Sequence, residues 1–251
     1  MNSALIAILV FVCVFGGALA GLAVRVPSHH QDADTRDVVK LVMGLIATIA
    51  ALVLSLLIAS AHSSYETQRS EVQQLGAQIV QLDELFAHYG PEADAAGAQL
   101  RRMVAAELGR LWPDADAARM TTAAPQVYVP AEDLFDTVSR LTPRSDAQRS
   151  AQGRALQLMT TTGTAIRLLY EQAEGALSWP FLVVLVFWLV ALFAGFGLYA
   201  RRNATVIAAL LVGAMTVAGA IFLILEMNRP YSGFMQISSA PIRNALAQIG
   251  R

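Results

Sequence analysis

The sequence predicts an all-α membrane protein with four transmembrane helices and a helical extramembrane domain inserted between the second and the third. Three observations predict it. The 251 residues are 55% hydrophobic and only 15% charged, where a soluble domain carries about 25% charge, so much of the surface never meets water. Four windows are long and apolar enough for a hydrocarbon layer of about 30 Å, which takes about 20 residues of helix. Residues 63–178 form the one long polar stretch, and its apolar residues recur at helical spacing.

The first window, Ser3 to Val24, carries no charge. Ala18-Leu19-Ala20 before Gly21 resembles a signal-peptide cleavage site, but no basic residue precedes the apolar run, and the run exceeds the usual ~7–15 residues of a signal core. It reads as a span. Cys13 lies inside it as the only cysteine, which excludes an intrachain disulfide and a cysteine metal site and reads as a small packing residue. The second window is Val38 to Ala61, with Lys40 near its start. Trp179 to Ala200 is the third and Ala204 to Leu225 the fourth. In lipid each backbone amide must be satisfied within its own segment, so each window is a helix. Ser178-Trp179-Pro180 suits an interfacial helix start, and Arg201-Arg202-Asn203 leaves room only for a tight hairpin. The domains therefore run 1–62, 63–178, 179–226 and a tail, 227–251.

Between the second and third windows, Val72, Leu75, Ile79, Leu82, Phe86 and Tyr89 alternate steps of three and four, a heptad seam suited to assembling subunits. The simplest reading is one helix leaving the membrane and reaching residue 89, about 75 Å long at ~1.5 Å per residue. Gly90-Pro91 ends it and starts another, with Leu100, Met103, Val104, Leu108 and Leu111 on one face. Turn formers fill Asp114 to Pro130. A short helix follows at Ala131 to Leu141, with Leu134, Phe135, Val138 and Leu141 inward. A long one runs from about Ser145, with Leu156, Met159, Ile166, Leu169 and Ala173 inward and a weak spot at Thr160 to Thr164. After the fourth span, Ser239 is placed to cap a last helix striped by Ile242, Leu246 and Ile249.

The second window also carries a stripe of small and weakly polar residues: Gly44, Thr48, Ala51, Ser55, Ala59 and His62. Small residues let membrane helices approach closely; the same residues suit the wall of an ion path. Thr205, Ala209, Gly213, Thr216 and Ala220 make a similar stripe in the fourth window, and Gly17 and Gly21 form a GxxxG pair in the first. No ionisable residue lies at mid-depth in any window, which argues against a proton- or ion-coupled transporter but not against a channel. Lys40, Glu226 and Arg229 are candidates for the mouth of such a path, with an interfacial ion pair as the plainer reading of Glu226 and Arg229. His29, His30, Asp32 and Asp34 sit too close in sequence for a tetrahedral metal site, and His62 and His88 otherwise read as interface and surface residues. No Walker loop, dinucleotide fingerprint, HExxH or nucleophile elbow is present. Neither enzyme activity nor a cofactor is expected, and a net charge of −1 gives no reason to expect nucleic acid.

Val38-Val39-Lys40-Leu41 through Gly44-Leu45-Ile46-Ala47-Thr48 to Leu56-Leu57-Ile58-Ala59-Ser60-Ala61, then Tyr89-Gly90-Pro91-Glu92-Ala93, resemble the bacterial bestrophin-like membrane proteins. So do Arg202-Asn203-Ala204-Thr205 and the tail from Leu225-Glu226-Met227-Asn228-Arg229-Pro230-Tyr231-Ser232-Gly233 to Pro241. The resemblance spans nearly the whole chain. True bestrophins are oligomeric ion channels, usually pentameric, with this layout of spans and a cytosolic helical region. The resemblance thus implies a homo-oligomeric channel of the bacterial inner membrane, with the lipid bilayer, further copies of the chain and ions as partners. Two departures stand out. Phe234-Met235-Gln236-Ile237-Ser238 carries no acid where calcium-regulated bestrophins have an acidic run, and the second window has no clear counterpart of their aromatic neck. The alternative function is a non-conducting scaffold or sensor assembled through the helical domain.

With four spans, both termini share one side with residues 63–178. Arg25, Arg36, Lys40, Arg201 and Arg202 flank the short loops, against Arg69, Arg167, Arg229 and Arg243 on the other side. The positive-inside rule leans slightly towards cytoplasmic short loops, whereas the resemblance implies a cytoplasmic domain. The latter is the expectation, narrowly.

Overall fold

The structure, a computed structural model, describes residues 2–24, 33–112, 131–175, 179–231 and 233–249. Among these residues there are helices and no strands: α1 (Ser3–Ala23), α2 (Ala33–Tyr89), a 3-10 turn (Pro91–Ala93), α3 (Asp94–Leu111), α4 (Ala131–Ser139), α5 (Asp146–Gly175), α6 (Trp179–Tyr199), α7 (Ala204–Met227) and α8 (Ala240–Gln248). Four of them, α1, α2, α6 and α7, are long and apolar enough to cross a membrane. The second span and the heptad segment are one helix of 57 residues, about 86 Å at ~1.5 Å per residue. The Asp114–Pro130 stretch lies outside the described residues. The chain divides into two compact units, Met1–Ser64 with Gly175–Asn228 and Tyr65–Glu174 with Arg229–Arg251.

In the first unit, Val10, Val14, Ala18 and Leu22 of α1 are buried in one cluster with Leu182, Leu185, Leu189 and Leu192 of α6. The helices run parallel, since Gly17 meets Val190 and Gly21 meets Ala194 and Leu198. Their backbones touch. A Cβ built on Gly21 would overlap the Ala194 carbonyl oxygen, and one on Gly197 would overlap that of Ala18. The GxxxG pair is therefore a packing device, the use small residues serve where lipid supplies no hydrophobic drive. Leu210, Ala214 and Ile221 of α7 complete the cluster. The α6–α7 hairpin is short, and Asn203 caps α7 by accepting from the Thr205 amide at 3.4 Å. Arg202 turns back to α1, whose last carbonyls have no partner in their own helix, and donates to Leu22 and Ala23. Cys13 is exposed on α1, beside exposed Leu9 and Val12, and so is not part of the core of this unit.

In the second unit the heptad face of α2 forms the centre of a core. Val72, Ile79, Leu82, Phe86 and Tyr89 cluster with Leu100, Val104 and Leu108 of α3, Leu134 and Val138 of α4, and Ile237, Ile242, Ala245 and Ile249 of the tail. Polar side chains tie these elements. Gln148 Nε2 donates to the Tyr89 carbonyl at 2.8 Å, and Gln152 Nε2 donates to those of Val138 and Leu141, each at 2.9 Å. Gly90 ends α2 with φ of 112°, a left-handed value that side chains resist.

Several expectations change here. Phe135 is exposed, because a nine-residue helix offers its partner only the Leu134–Val138 stripe, and Phe135 lies a quarter-turn away. Ser239 makes no side-chain cap; it already has helical angles, and the Ser238 hydroxyl accepts from the Ala240 amide at 3.2 Å instead. The threonine segment does not break α5. Thr160, Thr161 and Thr164 donate to the carbonyls four residues back, a bond a helix tolerates, and buried Thr162 donates to Gln78 Oε1 at 3.0 Å. The side chains of Leu169 and Ala173 lie outside the described residues. The tail helix packs on protein, with Pro241 against Gly76.

Candidate functional site

The membrane part of α2 has three faces, which follow from ~100° per residue. The first faces the bundle. Ala50 is buried on it, and Met43, Ile46, Ala47, Val53, Leu54 and Leu57 pack partly against the same cluster as α1, α6 and α7. The second is a run of exposed large side chains: Leu41, Leu45, Ile49, Leu52 and Leu56. Between them, on the other flank, lie Gly44, Thr48, Ala51, Ser55, Ala59 and His62, every one exposed in a single chain.

The packing reading of this stripe therefore fails within one chain; these small residues touch no other helix of their own bundle closely enough to be covered. Gly44 is open, since a Cβ added there meets nothing within 4 Å. The hydroxyl of Thr48 donates to the Gly44 carbonyl at 2.9 Å, which leaves its oxygen lone pairs directed outward as acceptors. On the corresponding stripe of α7, Thr205, Ala209 and Thr216 are exposed too, while Gly213 lies against Phe193.

Two of the three mouth candidates, Lys40 and Glu226, lie far apart in the first unit. Lys40, beside Asp37 at 3.1 Å in an exposed pair, lies at the start of α2, next to the end of α6. Glu226 closes the far end of α7, about 33 Å along that helix from Ala204 at ~1.5 Å per residue. It is also buried, with 4% of its surface accessible. Arg229 is half-buried.

A second correction concerns assembly. Val72, Leu75, Ile79, Leu82, Phe86 and Tyr89 are all buried inside one chain, none more than 6% accessible. Their partners are α3, α4 and the C-terminal tail rather than a second copy. A 3-4 repeat signals a helix with one buried stripe; it does not say whether the covering helix belongs to the same chain. His88 is a surface residue, its Nδ1 2.7 Å from the Glu84 carbonyl. His29, His30 and Asp32 and the side chain of Asp34 lie outside the described residues.

One feature of the first unit escaped the sequence: a groove of about 360 Å³ between α2 and α6, lined by Lys40, Met43, Gly44, Gly195, Phe196 and Tyr199. Gly195 lies against the Met43 side chain, where a Cβ would come within 2.7 Å of the methyl carbon. The only signal for it was a glycine in an otherwise bulky span.

The family model of the Bestrophin-like domain matches residues 10–242. No match was found among curated proteins or among solved structures.

Proposed function

From the premise that this chain belongs to the Bestrophin-like family, we propose that it assembles as a homo-oligomeric ion channel of the bacterial inner membrane, with α2 lining the path. One observation carries this reading. The Gly44–His62 stripe is left uncovered by its own bundle, beside an equally uncovered aliphatic face on the same helix. Lipid suits the aliphatic face at no cost. The stripe offers two hydroxyls, those of Thr48 and Ser55, two turns apart among small side chains, which suit water and partly dehydrated ions. A ring of copies, pentameric if it follows bestrophins, would turn that stripe to the axis. The helices between residues 65 and 174 then form the extramembrane domain, on the cytoplasmic side. No step of this reading involves a catalytic group.

Reconstitution in planar bilayers tests it, with wild type compared with Ser55→Leu and Thr48→Leu. Wild type is expected to conduct, and each leucine to cut the unit current severalfold by narrowing and drying the path. Leak-level current from all three proteins refutes the channel. Burial of the Val72–Tyr89 seam within one chain takes that seam from the channel and the scaffold readings alike as a surface for assembly.

A further inference from the structure

We propose that the groove between α2 and α6 binds one anionic phospholipid, with an acyl chain along Met43, Ala47 and Phe196 and the phosphate at Lys40. The argument rests on shape, position and charge. The groove holds about 360 Å³, within the ~300–1,000 Å³ of ordinary ligand sites, and its walls are mainly apolar. It lies where α2 begins and α6 ends, the level at which a membrane helix passes into the headgroup layer.

Charge then selects the occupant. Lys40 is the only lysine in the chain, and it lines this groove rather than a loop. Exposed Arg201 follows Ala200, another lining residue. The acid that faces Lys40 is Asp37, in a pair whose side chains are 60% and 71% accessible. Exposed pairs of this kind hold weakly, so the ammonium is free to swing to a phosphate and snorkel above an apolar chain. A zwitterionic lipid fits the same walls but gains less from the two cations. A free phosphate gains from the cations but leaves the apolar walls wet.

The test is native mass spectrometry of the purified full-length protein in detergent, incubated with phosphatidylglycerol or phosphatidylcholine of the same acyl chains. Wild type is expected to retain the anionic lipid about fivefold better, the gain one lysine makes near anionic lipid. Lys40→Gln should bring that preference to twofold or less. Ala47→Phe, which fills the groove wall, should lose both lipids while eluting as the wild type does. Should it fail to fold, Lys40→Gln decides alone. Glycerol phosphate at the same concentration should leave the bound phospholipid in place. Equal retention of the two lipids by wild type, an unchanged preference in Lys40→Gln, or displacement by glycerol phosphate overturns the proposal.

Discussion

Arg202 closes the end of a helix 180 residues before it: its Nε donates to the Leu22 carbonyl at 2.9 Å, and a second guanidinium nitrogen donates to Ala23, also at 2.9 Å. The last carbonyls of α1 carry partial negative charge and lack partners of their own. A cation there satisfies both needs. Because Arg202 belongs to the α6–α7 turn, the same contact fixes the hairpin against α1. Arg202→Gln should lower thermal stability in detergent by about 1.5–3 kcal/mol, with the half-open setting favouring the lower figure. Arg201→Gln removes the same charge from an exposed neighbour and should change stability by less than about 0.5 kcal/mol. Equal melting shifts for the two would show that general charge, not this contact, matters.

The α1–α6 contact depends on missing side chains. At Gly21 and Gly197 an added Cβ collides with a backbone carbonyl of the opposite helix, which cannot yield as a flexible side chain would. Gly21→Leu and Gly197→Leu should each push the helices apart and abolish monodisperse protein in detergent. Gly16→Leu and Gly219→Leu are the matched controls, because nothing lies within 4 Å of either position. They should purify in wild-type yield. Loss of all four proteins would point to a general intolerance of bulk in these spans.

Trp112 anchors the tail in the second unit. It is buried, its Nε1 donates to the Ile237 carbonyl at 2.8 Å, and its ring stands at 90° to Tyr231 with centroids 5.3 Å apart. Trp112→Phe keeps an aromatic body but leaves the Ile237 carbonyl without this donor, at a cost of about 1–3 kcal/mol. The tail should then open first. Limited proteolysis is expected to cut between residues 231 and 249 in the variant before any cut appears in wild type.

The spans were legible because lipid imposes a length and a composition that the sequence must display. Ser3–Ala23, Trp179–Tyr199 and Ala204–Met227 begin where the apolar windows begin and end within two residues of where they end. The 3-4 repeat likewise gave the buried face of α2 as far as Tyr89. Its partner was not legible, because periodicity reports that a stripe is covered and is silent on what covers it. Gly76 shows the same limit: the Pro241 backbone approaches it, and nothing in the spacing of the seam announces that contact. The polar stripe was visible as spacing, but its openness depends on where Ala50 and Met43 aim, a property of the whole bundle.

The buried seam yields the sharpest contrast between intrachain and intersubunit packing. Leu82 is 2% accessible and sits among α3, α4 and tail residues of its own chain. Leu82→Ala removes buried methyl groups from a core that other elements hold in place, so part of the cavity persists, and a loss of about 2–5 kcal/mol is expected. Subunit number should stay the same, since no surface offered to another copy has changed. Light scattering in detergent reads the second quantity, and thermal unfolding at matched protein concentration reads the first. A melting temperature that falls with an unchanged oligomer places the seam inside the chain. A smaller oligomer with unchanged subunit stability would instead make Leu82 an intersubunit residue, and the core built from Val72 to Tyr89 would have to be shared between copies.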